Sequence, residues 1–318
     1  MNHNAELLEQ VPPILLPKKI TSARLITGGL NNRNIIINES WLVKEYLIKD
    51  EANDPVYLRF LREKDSLLLL KNDHHAPQLL KYYDDGIKFY ITREWVEGNT
   101  LTHDYLQTNM ESLINAIMSI QSITESTSGD FHYYDVIKRY LLEYKGIRRH
   151  YPTSPPTDRK FSLFPPYERI DRFFNDHITQ LQKINSVNPL VRIHGDLVFS
   201  NIIVTPESSK IVFIDWEYST LADPCIDLAY FITQNQLSQE IQRIFTKKFE
   251  EKLGFQIIPR VLELTCDLMN LMSGLWYIIQ AARFQTAPHL VSEENTSFNE
   301  YIALAQDRFR ALQLIESL

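Results

Sequence analysis

The sequence predicts an α+β protein with two parts: a small antiparallel-sheet lobe carrying one helix, then a larger and mostly helical lobe. Three observations predict it. Three short apolar runs separated by tight breaks crowd into residues 23–46, the pattern of an antiparallel meander. From Leu101 onward apolar residues recur mainly at helical spacing. Only one compact β section, 191–215, interrupts the helices. The boundary falls after Glu97, giving a first lobe of residues 1–97, linker included, and a second of 98–318.

Each element follows from local signals. Residues 23–27 lead into Gly28-Gly29-Leu30-Asn31-Asn32, a turn-rich break, and the run Asn34–Ile37 ends at the turn Asn38-Glu39-Ser40. Trp41–Tyr46 is the third strand. Residues 56–71 contain no Gly or Pro and read as a helix, and strands at 78–83 and 87–95 close the lobe at Gly98. Helical spacing then runs from 101 to about 183, with a Pro-rich break at 151–157. Further helices are expected at 226–236, 239–253, 259–284 and 298–317.

Composition narrows the function. The 318 residues carry 33 basic and 40 acidic side chains, a net charge of −7, which argues against a nucleic-acid partner needing a basic face. No apolar run approaches the roughly 20 residues that span a bilayer, and Met1–Glu6 has no signal-peptide pattern. Cys225 and Cys266 show no metal-ligand spacing, so a cytoplasmic protein with reduced thiols is expected. Neither GxGxxG nor GxxxxGK[ST] is present, which speaks against a Rossmann site and a P-loop. His74-His75 has no third ligand in view and is not read as a metal site.

The most informative stretch is 192–228, RIHGDLVFSNIIVTPESSKIVFIDWEYSTLADPCIDL. Asn201–Thr205 and Ile211–Asp215 read as strands joined by a turn. A hairpin centred on Ser208 sets Thr205 opposite Ile211 and Asn201 opposite Asp215. Directly opposed side chains share a face about 5 Å apart, so an amide oxygen and a carboxylate meet at the open end, five residues after Asp196. Oxygen ligands of this kind suit Mg²⁺, and Asp196 is left to orient a hydroxyl and accept its proton.

His194-Gly195-Asp196-x₄-Asn201 followed by Ile214-Asp215 resembles the catalytic segments of the aminoglycoside phosphotransferase and choline kinase superfamily, small-molecule relatives of protein kinases. The resemblance implies a protein-kinase-like bilobal fold and ATP and Mg²⁺ as cofactors. It makes Asp196 the base and Asn201 and Asp215 the metal ligands. Asp223-Pro224-x₂-Asp227-Leu228-Ala229 also matches, with Asp227 bracing the catalytic loop.

The nucleotide half needs phosphate donors and a fixed positive charge. The Gly28-Gly29-Leu30-Asn31-Asn32 turn offers backbone N–H groups. Phe60, Glu63, Leu67 and Leu70 form one helical stripe, apolar except for Glu63. A carboxylate there needs a partner, and Lys44 is the candidate. The pair resembles the lysine–glutamate pair that sets ATP phosphates in kinases. Trp95-Val96-Glu97-Gly98 extends the resemblance, which implies that backbone groups of Glu94 and Val96 meet adenine.

Glu217 in the Asp215-Trp216-Glu217-Tyr218 run, Trp276 and Tyr301 look like choline and ethanolamine kinases. With Asp196 they are expected at the acceptor, where aromatic walls attract a cationic alcohol, each contact contributing about 0.5–2 kcal/mol. Two departures bear on choline itself: Ser273 stands where choline kinases often carry a second tryptophan, and Gln234 where they often carry a glutamate. Val198 and Phe199 are also unusually apolar for that loop. The expected reaction is transfer of the γ-phosphate of ATP to a small cationic alcohol, choline-like first. Thiamine, ethanolamine, an aminoglycoside or another polyol are alternatives, and a catalytically silent nucleotide-binding module is the rival from another class.

Overall fold

The computed structural model describes residues 7–26, 32–47, 56–127, 132–150, 164–184, 188–206, 209–286 and 297–315. Its first part is a five-stranded antiparallel sheet, β1 (Ala23–Ile26), β2 (Asn32–Ile37), β3 (Trp41–Tyr46), β4 (Leu79–Asp84) and β5 (Phe89–Glu94), in the order β1-β2-β3-β5-β4. One helix, α1 (Val56–Leu69), lies between β3 and β4 in the chain.

Strand alternation divides the burial. Val43, Ile35, Ile37 and Tyr90 pack on one face beneath Val11 and Leu15 of the N-terminal segment. Tyr46, Phe89 and Ile91 pack on the other against Phe60 and Leu67 of α1. The β2–β3 turn needs left-handed backbone at Asn38 (φ 54°) and Glu39 (φ 50°). Asn38 is suited to this because its side chain bonds locally: its Oδ1 accepts from the Thr21 N–H at 2.7 Å.

The second part is helical: α2 (His103–Gln121), α3 (Tyr133–His150), α4 (Tyr167–Ile184), α5 (Cys225–Gln234), α6 (Gln239–Leu253), α7 (Pro259–Thr286) and α8 (Phe298–Ala311). Sequence signals set their ends. Thr102 and Ser238 cap α2 and α6, Ser297 and Glu300 form a capping box on α8, and left-handed Gly254 closes α6. Leu268, Leu275 and Ile279 of α7 pack with Phe309 of α8, Ile226 of α5 and Ile137 of α3 in one core. No helix among the described residues is long and apolar enough to cross a membrane.

Short strands carry the centre. β6 (Asn99–Thr100), β8 (Ile202–Val204) and β9 (Ile211–Phe213) form one sheet, and β7 (Val191–Ile193) pairs with β10 (Thr220–Ala222). Gly98 is required beside this sheet, because a Cβ there would stand 2.5 Å from the Val204 carbonyl oxygen.

Two expectations are corrected. The 201–215 hairpin pairs one residue out of the expected register: Val204, not Thr205, opposes Ile211, and the Ile214 N–H donates to the Asn201 carbonyl. Beyond the ladder the Thr205 N–H donates to the Lys210 carbonyl at 2.9 Å. Helix α8 ends at Ala311 rather than 317. Gln313 turns left-handed (φ 55°), and Leu312 and Leu314 fold back into the core, with the Leu314 N–H on the Phe309 carbonyl.

Candidate active site

The site is built on the loop between β7 and β8. Asp227, at the start of α5, accepts from the backbone N–H groups of His194 (2.9 Å) and Gly195 (2.8 Å), which fixes the loop at its root. Gly195 has φ +82°, and a Cβ there would run into the Tyr218 carbonyl, so only glycine fits. The Tyr133 hydroxyl donates to the Gly195 carbonyl. His194 Nδ1 accepts from the Asp196 N–H at 3.2 Å, and its Nε2 faces the Ile214 carbonyl at 3.0 Å. This arrangement requires the neutral Nε2–H tautomer. Burial holds its pKa down to about 4.

Asp196 points into a cavity of about 690 Å³ shared with Asn201, Asp215 and Lys44. Its carboxylate accepts from Asn201 Nδ2 at 2.8 Å and from the Tyr230 hydroxyl. Burial, followed by the negative charge of Asp215, pushes its pKa up to about 7. A carboxyl poised there can exchange a proton with a hydroxyl near neutral pH.

Asn201 and Asp215 line one cavity, though not by the expected route. A one-residue shift in register would ordinarily turn a strand side chain to the opposite face. Here neither residue lies in the ladder. Asn201 ends a 3₁₀ turn before β8, and Asp215 adopts a left-handed conformation (φ 68°, ψ 66°) just beyond β9. That bend is what brings Asp215 to the cavity. Asn201 spends its Nδ2 on Asp196, with a second bond to the Asp196 carbonyl at 3.1 Å, so the amide oxygen is the atom it has to offer. With the Asp215 carboxylate this is a hard, all-oxygen donor set that fits Mg²⁺.

Lys44 is the centre of charge. Its Nζ lies 2.5 Å from Glu63 Oε2, 2.5 Å from Asp215 Oδ1 and 3.4 Å from Glu217 Oε2. Burial alone would lower its pKa, but the three carboxylates outweigh that and hold it above the ordinary lysine value. The Tyr46 hydroxyl also donates to Glu63 Oε2, at 2.5 Å. The Lys44–Glu63 contact joins the strand lysine and helix glutamate that the sequence pointed to.

Glu217 lines the same cavity as Asp196, on the Lys44 side. It is buried beneath Lys44, accepts from Asn32 Nδ2 at 2.9 Å and lies 3.6 Å from Arg59 Nη1, while Arg62 Nε donates to its carbonyl. Lys44, Arg59 and the Asn32 hydrogen bond together overcome burial and hold its carboxyl down to about 2. Its side chain ties α1 and β2 to the segment after β9. Asn32 is drawn into the same network, and its neighbours Gly28, Gly29 and Asn31 lie outside the described residues.

Of the linker groups, Glu94 ends β5 and Val96 follows it. The Glu94 N–H donates to the Gln78 carbonyl at 2.9 Å, and its own carbonyl accepts from Arg93 Nη1 at 3.0 Å. Val96 packs against Ile203 and Val212. Arg93 and Trp95 line the cavity; Glu94 and Val96 do not.

At the far end Trp276 lines the cavity, but Tyr301 does not. Tyr301 is 2% exposed and stands behind Trp276 in an edge-to-face contact of 6.2 Å. Its periodicity on α8 is core packing. Tyr277, Tyr133 and Tyr140 supply the walls instead, and Ser273 and Gln234 are both present at the surface of the cavity. Sequence reasoning missed Tyr230, Tyr277 and Arg93. The only available signals were the helical offset of Tyr230 from Asp227 and the position of Tyr277 next to Trp276.

Comparison with known proteins identifies the family. Residues 22–264 match the phosphotransferase enzyme family. A LicA homolog from Mycoplasma capricolum is 30% identical over 278 residues, covering 87% of this chain and 94% of that one. The structure is similar to choline kinase LicA from Streptococcus pneumoniae, with TM-score 0.69, 18% identity and 97% of each chain covered. It is also similar to a Plasmodium vivax ethanolamine kinase, with TM-score 0.68, 18% identity, and 93% of this chain and 83% of that chain covered. These structural likenesses show the protein-kinase-like fold. The chain belongs to the phosphotransferase enzyme family and, within it, is similar to choline and ethanolamine kinases.

Proposed function

We propose that the protein transfers the γ-phosphate of ATP, as its Mg²⁺ complex, to the hydroxyl of a small cationic alcohol, with choline as the first candidate. The observation that carries this reading is the convergence of Asp196, Asn201, Asp215 and Lys44 on one cavity whose far end is walled by Trp276 and Tyr277. The cleft would lie between lobes 1–97 and 98–318, and the reaction would take place in the cytoplasm.

Each group has a role. Asn201 and Asp215 would hold Mg²⁺, which neutralises charge on the transferring phosphate when bound. Lys44, held by Glu63, places a fixed positive charge beside the phosphates. Asp196 accepts a hydrogen bond from the acceptor hydroxyl, aligns its oxygen for in-line attack and takes its proton. Tyr230 and Asn201 fix the Asp196 carboxylate for that task. Trp276 and Tyr277 present aromatic faces to a cation. The glycine turn at 28–29 would supply backbone donors.

A larger cation is the second reading. Ser273 and Gln234 line the cavity where a bulkier ring and a carboxylate would narrow and charge it. A roomier, less acidic pocket favours an alcohol such as thiamine, whose thiazolium ring can stack on aromatic walls. An ADP-release assay with choline, ethanolamine, thiamine and an aminoglycoside tests both readings. Strong stimulation by choline supports the first, and stimulation by thiamine alone supports the second. Stimulation only by the aminoglycoside contradicts both, and no stimulation by any acceptor favours a silent nucleotide-binding module.

A further inference from the structure

The purine end of the cleft carries an unusual group, and its reading rests on the nucleotide role proposed above. Arg93 opposes Leu42 across β3–β5, two residues along from Ile91, which opposes Lys44. Side chains at that spacing leave the same sheet face, so Arg93 stands beside Lys44, displaced toward the linker. It is 5% exposed yet lines the cavity with the apolar side chains of Ile26, Leu42 and Ile214.

Its hydrogen bonding is incomplete. Nη1 donates to the Glu94 carbonyl at 3.0 Å, and the buried Nε has no partner. The nearby carboxylates act on it only through space: Glu63 and Asp215 each hold Lys44 at 2.5 Å, and the second Glu63 oxygen makes no hydrogen bond to the guanidinium. A guanidinium keeps its charge and has five donors to satisfy. Burying one with so little compensation is costly. A ligand that brings acceptor atoms between those apolar walls would recover that cost.

The purine edge decides which ligand. Guanine presents O6 and N7 as adjacent acceptors, the pair that an arginine fork matches. Adenine offers N7 beside an amino donor. An adenine amino group entering here would face another donor, with the Glu94 carbonyl already bonded to Arg93. We propose that Arg93 makes this cleft accept 6-oxopurines, so that GTP and ITP serve as phosphate donors at least as well as ATP.

Calorimetric titration with ADP, GDP and IDP tests this without any acceptor, so it stands apart from the choline question. GDP and IDP are expected to bind the wild-type protein as tightly as ADP or more tightly. Arg93→Met should weaken GDP and IDP by about tenfold relative to ADP, the scale of one bidentate base contact. Arg93→Lys, with a point charge in place of the fork, should lose most of the same preference. Tenfold tighter binding of ADP than GDP by the wild type would overturn the proposal, whatever the variants do. Equal weakening of all three by Arg93→Met would overturn it too, placing the arginine on phosphate. If none of the three binds, the nucleotide reading of the cleft fails and this proposal fails with it.

Discussion

Lys44 Nζ and Asp215 Oδ1 lie 2.5 Å apart although 171 residues separate them in the chain. The contact links the sheet to the residue proposed as a metal ligand, while Glu63 holds the same ammonium at 2.5 Å from α1. Glu63 is fully buried and the Lys44 side chain is 5% exposed. Removing the lysine therefore leaves buried carboxylates without their cation. Lys44→Met is expected to cost about 3–5 kcal/mol of stability in urea unfolding and to lower kcat/KM by about 10²-fold or more. Adding Glu63→Gln should recover part of the stability and none of the activity. A single variant as stable as wild type would contradict the assigned pairing.

His194 gives a pH dependence with a definite sign. Its folded pKa of about 4 lies below the ordinary histidine value of 6.5, so between those pH values the unfolded chain binds the extra proton and stability falls as pH falls. The loss is complete once pH drops below about 4. Asp227, raised to about 6 by burial, and Asp196, raised to about 7, act in the opposite sense. The effect is therefore read as the difference between wild type and His194→Gln in urea titrations from pH 7 to pH 4. The gap in stability at pH 7 should shrink toward pH 4, and a gap independent of pH would be the contrary result.

Trp276 and Tyr301 separate wall from support. Trp276→Ala should raise KM for the cationic acceptor by about 2- to 30-fold, the range of one cation–π contact, with KM for the nucleotide unchanged. Tyr301→Phe should leave both constants near wild type and leave stability unchanged or improved, because the buried Tyr301 hydroxyl has no partner. Acceptor KM rising in Tyr301→Phe but not in Trp276→Ala would reverse the assignment.

Much of the fold was legible in the sequence because its signals are local. Short apolar runs between tight breaks marked β2, β3 and β5, and apolar residues at helical spacing marked the helices. The Lys44–Glu63 contact was legible because a lone carboxylate on an apolar stripe demands a partner. Three things were not. The hairpin register depends on loop closure between Thr205 and Lys210, and the turn residues alone do not fix it. The left-handed bend at Asp215 is held by tertiary contacts and not by glycine, so no residue type announced it. Tyr301 sits in a motif that suggests an acceptor, but its placement is decided by the packing of α7 on α8, which are distant in sequence from the catalytic segments.

The most direct measurement is choline-dependent ADP release by wild type and Asp196→Asn, alongside ATP affinity. Asp196 touches the acceptor and not the nucleotide in the proposed reaction. The substitution is therefore expected to lower kcat by about 10²–10⁴-fold while ATP binding and thermal unfolding stay close to wild type. Turnover within a few fold of wild type in a folded, ATP-binding Asp196→Asn protein would contradict the central claim that this carboxylate activates the acceptor hydroxyl.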